Sequence, residues 1–247
     1  MIATLAWKEF RTLFTSPLAW IILAVMQFIL AVVFFWYLGQ YLEIQPRIQQ
    51  LTNPPGVTEI VVNGSFYFAA ILLQAAVALL SMRLLSDEYR NRTIALLLSA
   101  PISSTEIILG KFCGLLLFLL LPVALLTLMS ASLALGGTVD WGLIGSNLLS
   151  LVLLLAAYSA LGLLISSLTE HPLLAGFGTL MALIFLLLLN LLATDPNATS
   201  TYLSLLSHFE MMSKGLIDTS NLSFLLIVTV TFLILTSKVL DRRCRQG

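Results

Sequence analysis

The stretch Ser86-Asp-Glu-Tyr-Arg-Asn-Arg-Thr-Ile-Ala-Leu-Leu-Leu-Ser-Ala-Pro101-Ile-Ser-Ser-Thr-Glu-Ile-Ile-Leu-Gly-Lys111 separates two runs that are each apolar enough to cross a bilayer. It carries Asp87, Glu88, Arg90, Arg92, Glu106 and Lys111 in a chain of which only 10% of residues are charged. The order of residues spells a short helix, a stop and a restart. Glu88, Arg90, Asn91 and Arg92 crowd the first turns, while Ile94, Leu97 and Leu98 make one apolar stripe. Pro101 has no N–H to donate and biases the residue before it away from the helical region, so the helix predicted over 87–100 ends there. Ser103-x-x-Glu106 is a capping box, each side chain meeting the other residue's orphan N–H, and it starts the next helix. Such an amphipathic element either docks a soluble partner or packs on its own bundle, and the residues alone leave both open.

Outward from this stretch the composition is that of an integral membrane protein. Apolar residues make up 59% of the chain and the mean hydropathy is +1.02, against about 45–50% apolar residues in soluble domains. A helix needs roughly 20 apolar residues to span the hydrocarbon. The segments 17–38, 65–85, 109–135, 143–168, 173–193 and 221–239 qualify, which predicts an all-α fold of six transmembrane helices in a single domain over 1–247. The first run is longer than the h-region of a secretory signal and has no clear cleavage site, so it is expected to be retained. Lys8, Arg11, Arg83, Arg90, Arg92, Lys111, Lys238, Arg242, Arg243 and Arg245 fall on one side of this arrangement, and only Arg47 and Lys214 on the other. By the positive-inside rule both termini are expected in the cytoplasm.

Residues 1–16 read as an amphipathic helix in the interface plane. Ala3, Ala6, Trp7, Phe10, Leu13 and Phe14 recur at helical spacing, with Thr4, Lys8, Arg11 and Thr12 off that face. It is either an elbow that carries motion along the membrane surface or a plain anchor. A second amphipathic stretch over 201–217 places Tyr202, Leu205, Leu206, Phe209, Met212 and Leu216 on one face, and is expected on or dipping into the outer membrane surface. His208 and Glu210 are two residues apart and point to different sides of it, so they make no metal pair; interface polarity is their expected role. The loop 39–64 is expected to be a polar outer connection.

No ionisable residue falls near the middle of a span, which weighs against an ion-coupled carrier. The polar groups there are mild: Gln74, Asn147, Ser150, Tyr158, Ser159, Thr179 and Asn190. They either line a weakly polar route or hydrogen-bond neighbouring helices. The net charge of zero gives no reason to expect nucleic acid. Cys113 and Cys244 match no disulfide or metal spacing. Gly110-Lys111 lacks the upstream glycine and the following Ser or Thr of a phosphate-binding loop, so the chain is not expected to hold ATP itself. Gly110-x-x-x-Gly114 would let two helices approach closely, though one such match is a weak signal.

The stretch Asp87-Glu88-Tyr89-Arg90, Thr93, Leu97-Leu98, Pro101-Ile102 and Gly110-Lys111 resembles the coupling segment of type-2 ABC exporter permeases. Arg92 stands where that family commonly has Gly, and Ala95 where it commonly has an acidic residue. The resemblance covers essentially the whole chain, and Ser207–Thr219 is similar to the matching part of the gliding-motility-associated permease subgroup. It implies a non-catalytic six-helix permease subunit of a bacterial inner-membrane ABC exporter, with an elbow helix at 1–16 and a coupling helix at 87–100. Asp87, Glu88, Arg90, Arg92, Thr93, Leu97 and Leu98 would meet the ATPase, with Pro101 as hinge. The implied partners are a cytoplasmic ATPase dimer that binds ATP and Mg²⁺, and a second permease subunit, the same or related; this chain itself would bind no cofactor. A rival expectation is a complex that uses ATP to do mechanical work on a periplasmic partner, motivated by the outer helix at 201–217.

Overall fold

The computed structural model describes residues 2–48, 55–90, 103–192, 204–216 and 218–246, and among them every element is helical. In chain order these are α1 (Ile2–Thr15), α2 (Pro17–Ile48), a π-helical turn (Thr58–Val62), α3 (Asn63–Ser81), α4 (Ser86–Arg90), α5 (Ser104–Ser132), a 3₁₀ turn (Leu133–Leu135), α6 (Trp141–Leu168), α7 (Pro172–Leu192), α8 (Leu205–Ser213) and α9 (Thr219–Gln246). Six of the helical stretches are long and apolar enough to cross a membrane, as the spacing of apolar runs predicts.

The apolar windows containing α3 and α6 are 67% buried, against 22–28% for α2, α7 and α9. The former two therefore form the bundle's centre and the latter three its lipid-facing wall. Leu73 and Val77 of α3, Leu115 and Leu119 of α5, and Leu151, Leu154 and Leu155 of α6 interlock in the core. Phe28 and Phe35 of α2 and Phe177 and Phe185 of α7 point outward. Acyl chains solvate such side chains as well as a protein core does, so their exposure is not a defect.

The helix ends obey their sequence signals. Ser103 caps α5, its hydroxyl accepting from the Glu106 N–H at 3.3 Å while its own N–H donates to the Glu106 carboxylate at 3.1 Å. Asp140 caps α6 by accepting from Gly142 and Leu143 at 2.9 and 3.2 Å. Several boundaries differ from expectation, and two of them have a plain physical cause. The first transmembrane helix runs ten residues past 38, because hydropathy marks where lipid ends and not where backbone hydrogen bonding ends. The second begins at Thr58 instead of 65, since Val61 and Val62 are fully buried and extend the core into what read as a loop. Of the helix expected at 87–100, only the part up to Arg90 lies within the described residues.

The weak Gly110-x-x-x-Gly114 signal has a definite use. It seats α1 on α5: a Cβ at Gly110 would lie 2.6 Å from Leu5 Cβ, and one at Gly114 would lie 2.7 Å from Glu9 Cβ. Phe14 completes the contact, edge-on to Phe118 with ring centroids 5.4 Å apart. The face of α1 turned inward is thus Ala6, Phe10, Leu13 and Phe14, whereas Trp7 is 63% exposed.

Gly110→Ala and Gly114→Ala should each lower the melting temperature of the detergent-solubilised protein, because overpacking a close helix contact costs typically about 1–3 kcal/mol. Gly145→Ala, where a Cβ meets nothing within 4 Å, should be neutral or stabilising. Equal behaviour of the three would show that α1 is not held at this seam.

Candidate functional site

The charged interruption begins with α4, and the fold fastens this five-residue helix by three different kinds of contact. The first is to α6. The backbone N–H groups of Leu85 and Ser86 both donate to Ser166 Oγ at 3.2 Å, and that hydroxyl donates to the Met82 carbonyl at 3.3 Å. The orphan donors at the start of α4 are satisfied by another helix and not by water. Ser86 Oγ also donates to the Met82 carbonyl.

The second contact is a buried ion triad. Lys111 lies two turns into α5 and is 3% exposed. Its Nζ is 3.1 Å from Glu9 Oε1 and 2.6 Å from Glu88 Oε1. Glu9 belongs to α1, Glu88 to α4, so one cation joins three elements. The glycine seam is what brings Glu9 within reach. The third contact is Arg243 near the end of α9. Its guanidinium lies 4.6 Å from the centroid of the Tyr89 ring, and it donates to the Leu168 carbonyl at 2.6 Å. Its 3.9 Å approach to Glu170, itself 67% exposed, adds little in water.

Of the residues singled out for docking, Asp87 is half-buried and Arg90 exposed at this surface. Glu88 is turned inward onto Lys111. Arg92, Thr93, Leu97, Leu98 and Pro101 lie outside the described residues. Sequence reasoning gave no part to Glu9 or Ser166, used Arg243 only to orient the spans, and gave Lys111 no partner. Lys111 did carry a signal: a lysine just inside an apolar span demands an acidic partner. Nothing in the spacing says that Glu9, 102 positions away, is that partner.

Most of the mild polar groups in the spans are paired between or within helices, whereas the buried Ser159 hydroxyl has no partner among the described residues. Gln74 donates to Tyr158 Oη at 2.9 Å, tying α3 to α6. Thr179 Oγ1 donates to the Ala175 carbonyl and Ser150 Oγ to the Asn147 carbonyl. Asn147 Nδ2 reaches Asn63 Oδ1 at 2.7 Å and the carbonyls of Leu143 and Ser213 at 2.9 Å. Asn190 donates to Glu210 Oε1 at 3.1 Å and accepts from Ser204 Oγ at 3.0 Å.

These last bonds show where α8 sits. Leu205, Leu206, Phe209 and Met212 are buried against the bundle, while Leu216 of the same expected face is exposed. The amphipathic face thus packs on protein, not on lipid. His208 bonds Asn221 at 2.7 Å and stacks on Phe224, and Glu210 holds Asn190, so both have specific partners beyond interface polarity. Among the described residues no group of three or more metal-ligating side chains occurs.

Residues 3–243 match the family model described as ABC-2 family transporter protein. No curated protein matches the chain.

Lys111→Met should destabilise the solubilised protein by less than the roughly 3–5 kcal/mol typical of a fully buried pair, because the two carboxylates it strands are 14% and 18% exposed. Combining it with Glu9→Gln and Glu88→Gln should recover most of that loss, as whole buried ion clusters are often replaced at little net cost. Unfolding monitored by intrinsic fluorescence reads both; losses that simply add across the three substitutions would show that the groups do not interact.

Proposed function

The chain belongs to the ABC-2 transporter family and is a membrane permease component of an ABC transporter; from that premise we propose that it is an exporter subunit driven by separate cytoplasmic ATPases through the segment at 87–100. The anchoring of α4 is the observation that carries this reading. A segment that docks a partner and transmits its motion must be fastened to the helices it is to move, and α4 is tied to α1, α5, α6 and α9.

In this reading the protein sits in a bacterial inner membrane with both termini cytoplasmic, and the cation-rich end of the bundle faces the ATPase. Two ATPase subunits bind ATP and Mg²⁺, and their closure pushes the 87–100 helix, with Pro101 as hinge. Asp87, Arg90, Arg92, Thr93, Leu97 and Leu98 make the contact. Glu88 acts through Lys111 and keeps the segment in register. The push passes to α3 and α7, which rock against a second permease subunit, the same or related, while α1 moves as an elbow. Apolar or amphipathic cargo suits a bundle whose mid-membrane polar groups are few and internally bonded. The similarity of Ser207–Thr219 to the gliding-associated subgroup supports placing the chain there, without implying gliding.

The rival reading, ATP-driven work on a periplasmic partner, asks α8 to offer a surface outward. Its apolar face is committed to the bundle instead, which favours the permease reading.

Arg90→Glu combined with Arg92→Glu should cut stimulated ATPase activity of the assembled complex by roughly tenfold or more, since disrupting one partner of an interfacial charge pair costs about 2–5 kcal/mol. Membrane insertion and the melting temperature of the permease should not change, because Arg90 is exposed and outside the ion triad. Unchanged ATPase activity in the double variant would sink the docking assignment.

A further inference from the structure

A cavity of about 340 Å³ opens beside the ion triad, between α1, the start of α2, the end of α3, and α4. Its wall carries three cations, Lys8, Arg83 and Lys111, and three carboxylates, Glu9, Asp87 and Glu88. Lys111 is consumed by Glu9 and Glu88. Lys8, Arg83 and Asp87 remain at the mouth, none of them in an ion pair with a described residue. The floor is apolar, contributed by Leu13, Leu18 and Leu79, and Leu79 is 42% exposed on the lipid-facing side.

The depth of the cavity follows from aromatic residues of α1 and α2, the helices that contribute part of its wall without placing an aromatic ring in it. Trp7 stacks on Phe10, and the Trp20 indole N–H donates to the Phe14 carbonyl at 2.7 Å. Both indoles are more than half exposed, in the manner of residues at a membrane interface. An amphipathic cavity at that level, with a polar mouth and a greasy floor, matches a phospholipid in shape and chemistry. Its volume lies at the low end of ligand sites, roughly 300–1,000 Å³, enough for a headgroup and the start of the chains.

We propose that this cavity binds a zwitterionic aminophospholipid of the same leaflet, its phosphate between Lys8 and Arg83 and its ammonium at Asp87. Two cations and one carboxylate on the wall of one cavity suit a phosphate with an amine attached. A headgroup without the amine leaves Asp87 uncompensated, and a second phosphate would be repelled by it. Because the cavity is bounded by α1 and α4 together, the lipid would fill the gap between the interfacial helix and the start of the 87–100 segment. Asp87 is shared with the ATPase contact proposed above, so the inference is tested on the chain alone, where it holds or fails on lipid binding by itself.

Native mass spectrometry of the detergent-purified full chain, without nucleotide, tests it by titration with palmitoyl-oleoyl phosphatidylethanolamine or the matching phosphatidylglycerol. The expected result is one phosphatidylethanolamine retained in preference to phosphatidylglycerol. Lys8→Ala with Arg83→Ala should weaken that adduct about tenfold or more, as loss of charge-assisted bonds to phosphate would. Asp87→Asn should abolish the preference between the two lipids. Leu79→Trp, which enlarges an apolar lining residue of the cavity and removes no charge, should also displace the lipid, and it serves where the double variant does not fold. Equal retention of both lipids by the unaltered chain, or undiminished retention by Leu79→Trp, overturns the proposal.

Discussion

A buried ammonium group must be given carboxylates or be expelled, and the position of Lys111, 3% exposed, is the constraint from which the cation-rich end of this bundle follows. The third span begins at its capping box, and Lys111 comes only two turns later. At that depth its charge can be met only by elements brought over from elsewhere. Glu9 arrives on α1, which lies flat enough on α5 to touch it because Gly110 and Gly114 leave room. Glu88 arrives on α4, whose position is independently set by Ser166. Buried ion clusters are poor sources of net stability, since desolvation offsets most of the attraction. Their effect is on geometry: arrangements that separate these three groups are heavily penalised, and one arrangement remains.

The same accounting applies at the other end, where no ion pair occurs among the described residues. There Asn147 bonds Asn63 and the Ser213 carbonyl, and Ser146 donates to the Met212 carbonyl. Asn190 holds Glu210. Side-chain amides from α6 and α7 thus hold the ends and flanks of α8, a helix too short to be stable alone. In a bilayer each of these polar atoms must be satisfied from within the protein, so α8 is drawn inward and closes the bundle.

How much of this could be read from the chain depends on the range of the interaction. The six spans were legible because a membrane helix advertises itself over some twenty consecutive residues, and the Ser103–Glu106 capping box because both partners lie within one turn. The apolar face of α8 was legible as a face, but its destination was not. Whether a stripe such as Leu205, Leu206, Phe209 and Met212 meets lipid or protein is decided by Asn147 and Asn190, which are remote in sequence. Glu9, Ser166 and Arg243 were missed for the same reason. Each looks like ordinary polarity in its own window and becomes informative only when folding sets it against Lys111, Leu85 or Tyr89. The glycine pair lies between these cases: its spacing said that something approaches α5 closely, and could not say that the visitor was the amphipathic helix at the N-terminal end of the chain.

The three fastenings of α4 differ in strength, and that difference bears on how a push at the segment would spread. The bonds to Ser166 are made by backbone N–H groups in a fully buried setting, and the Lys111 triad is nearly as dry; both resist separation because their polar atoms have no water to turn to. The Arg243 contact is partly solvated, and an exposed cation–π pair contributes only about 0.5–1 kcal/mol. If the 87–100 segment docks an ATPase as proposed, its displacement would move α4 together with α1, α5 and the end of α6, and slip first against α9. Since α6 is the most enclosed helix along with α3, the rigid connection runs to the centre of the bundle and the yielding one to its lipid-facing wall. A subunit that must convert a force at one surface into relative motion of its helices needs this asymmetry, because uniform fastening would move the bundle as a block and uniform slackness would dissipate the push at the surface.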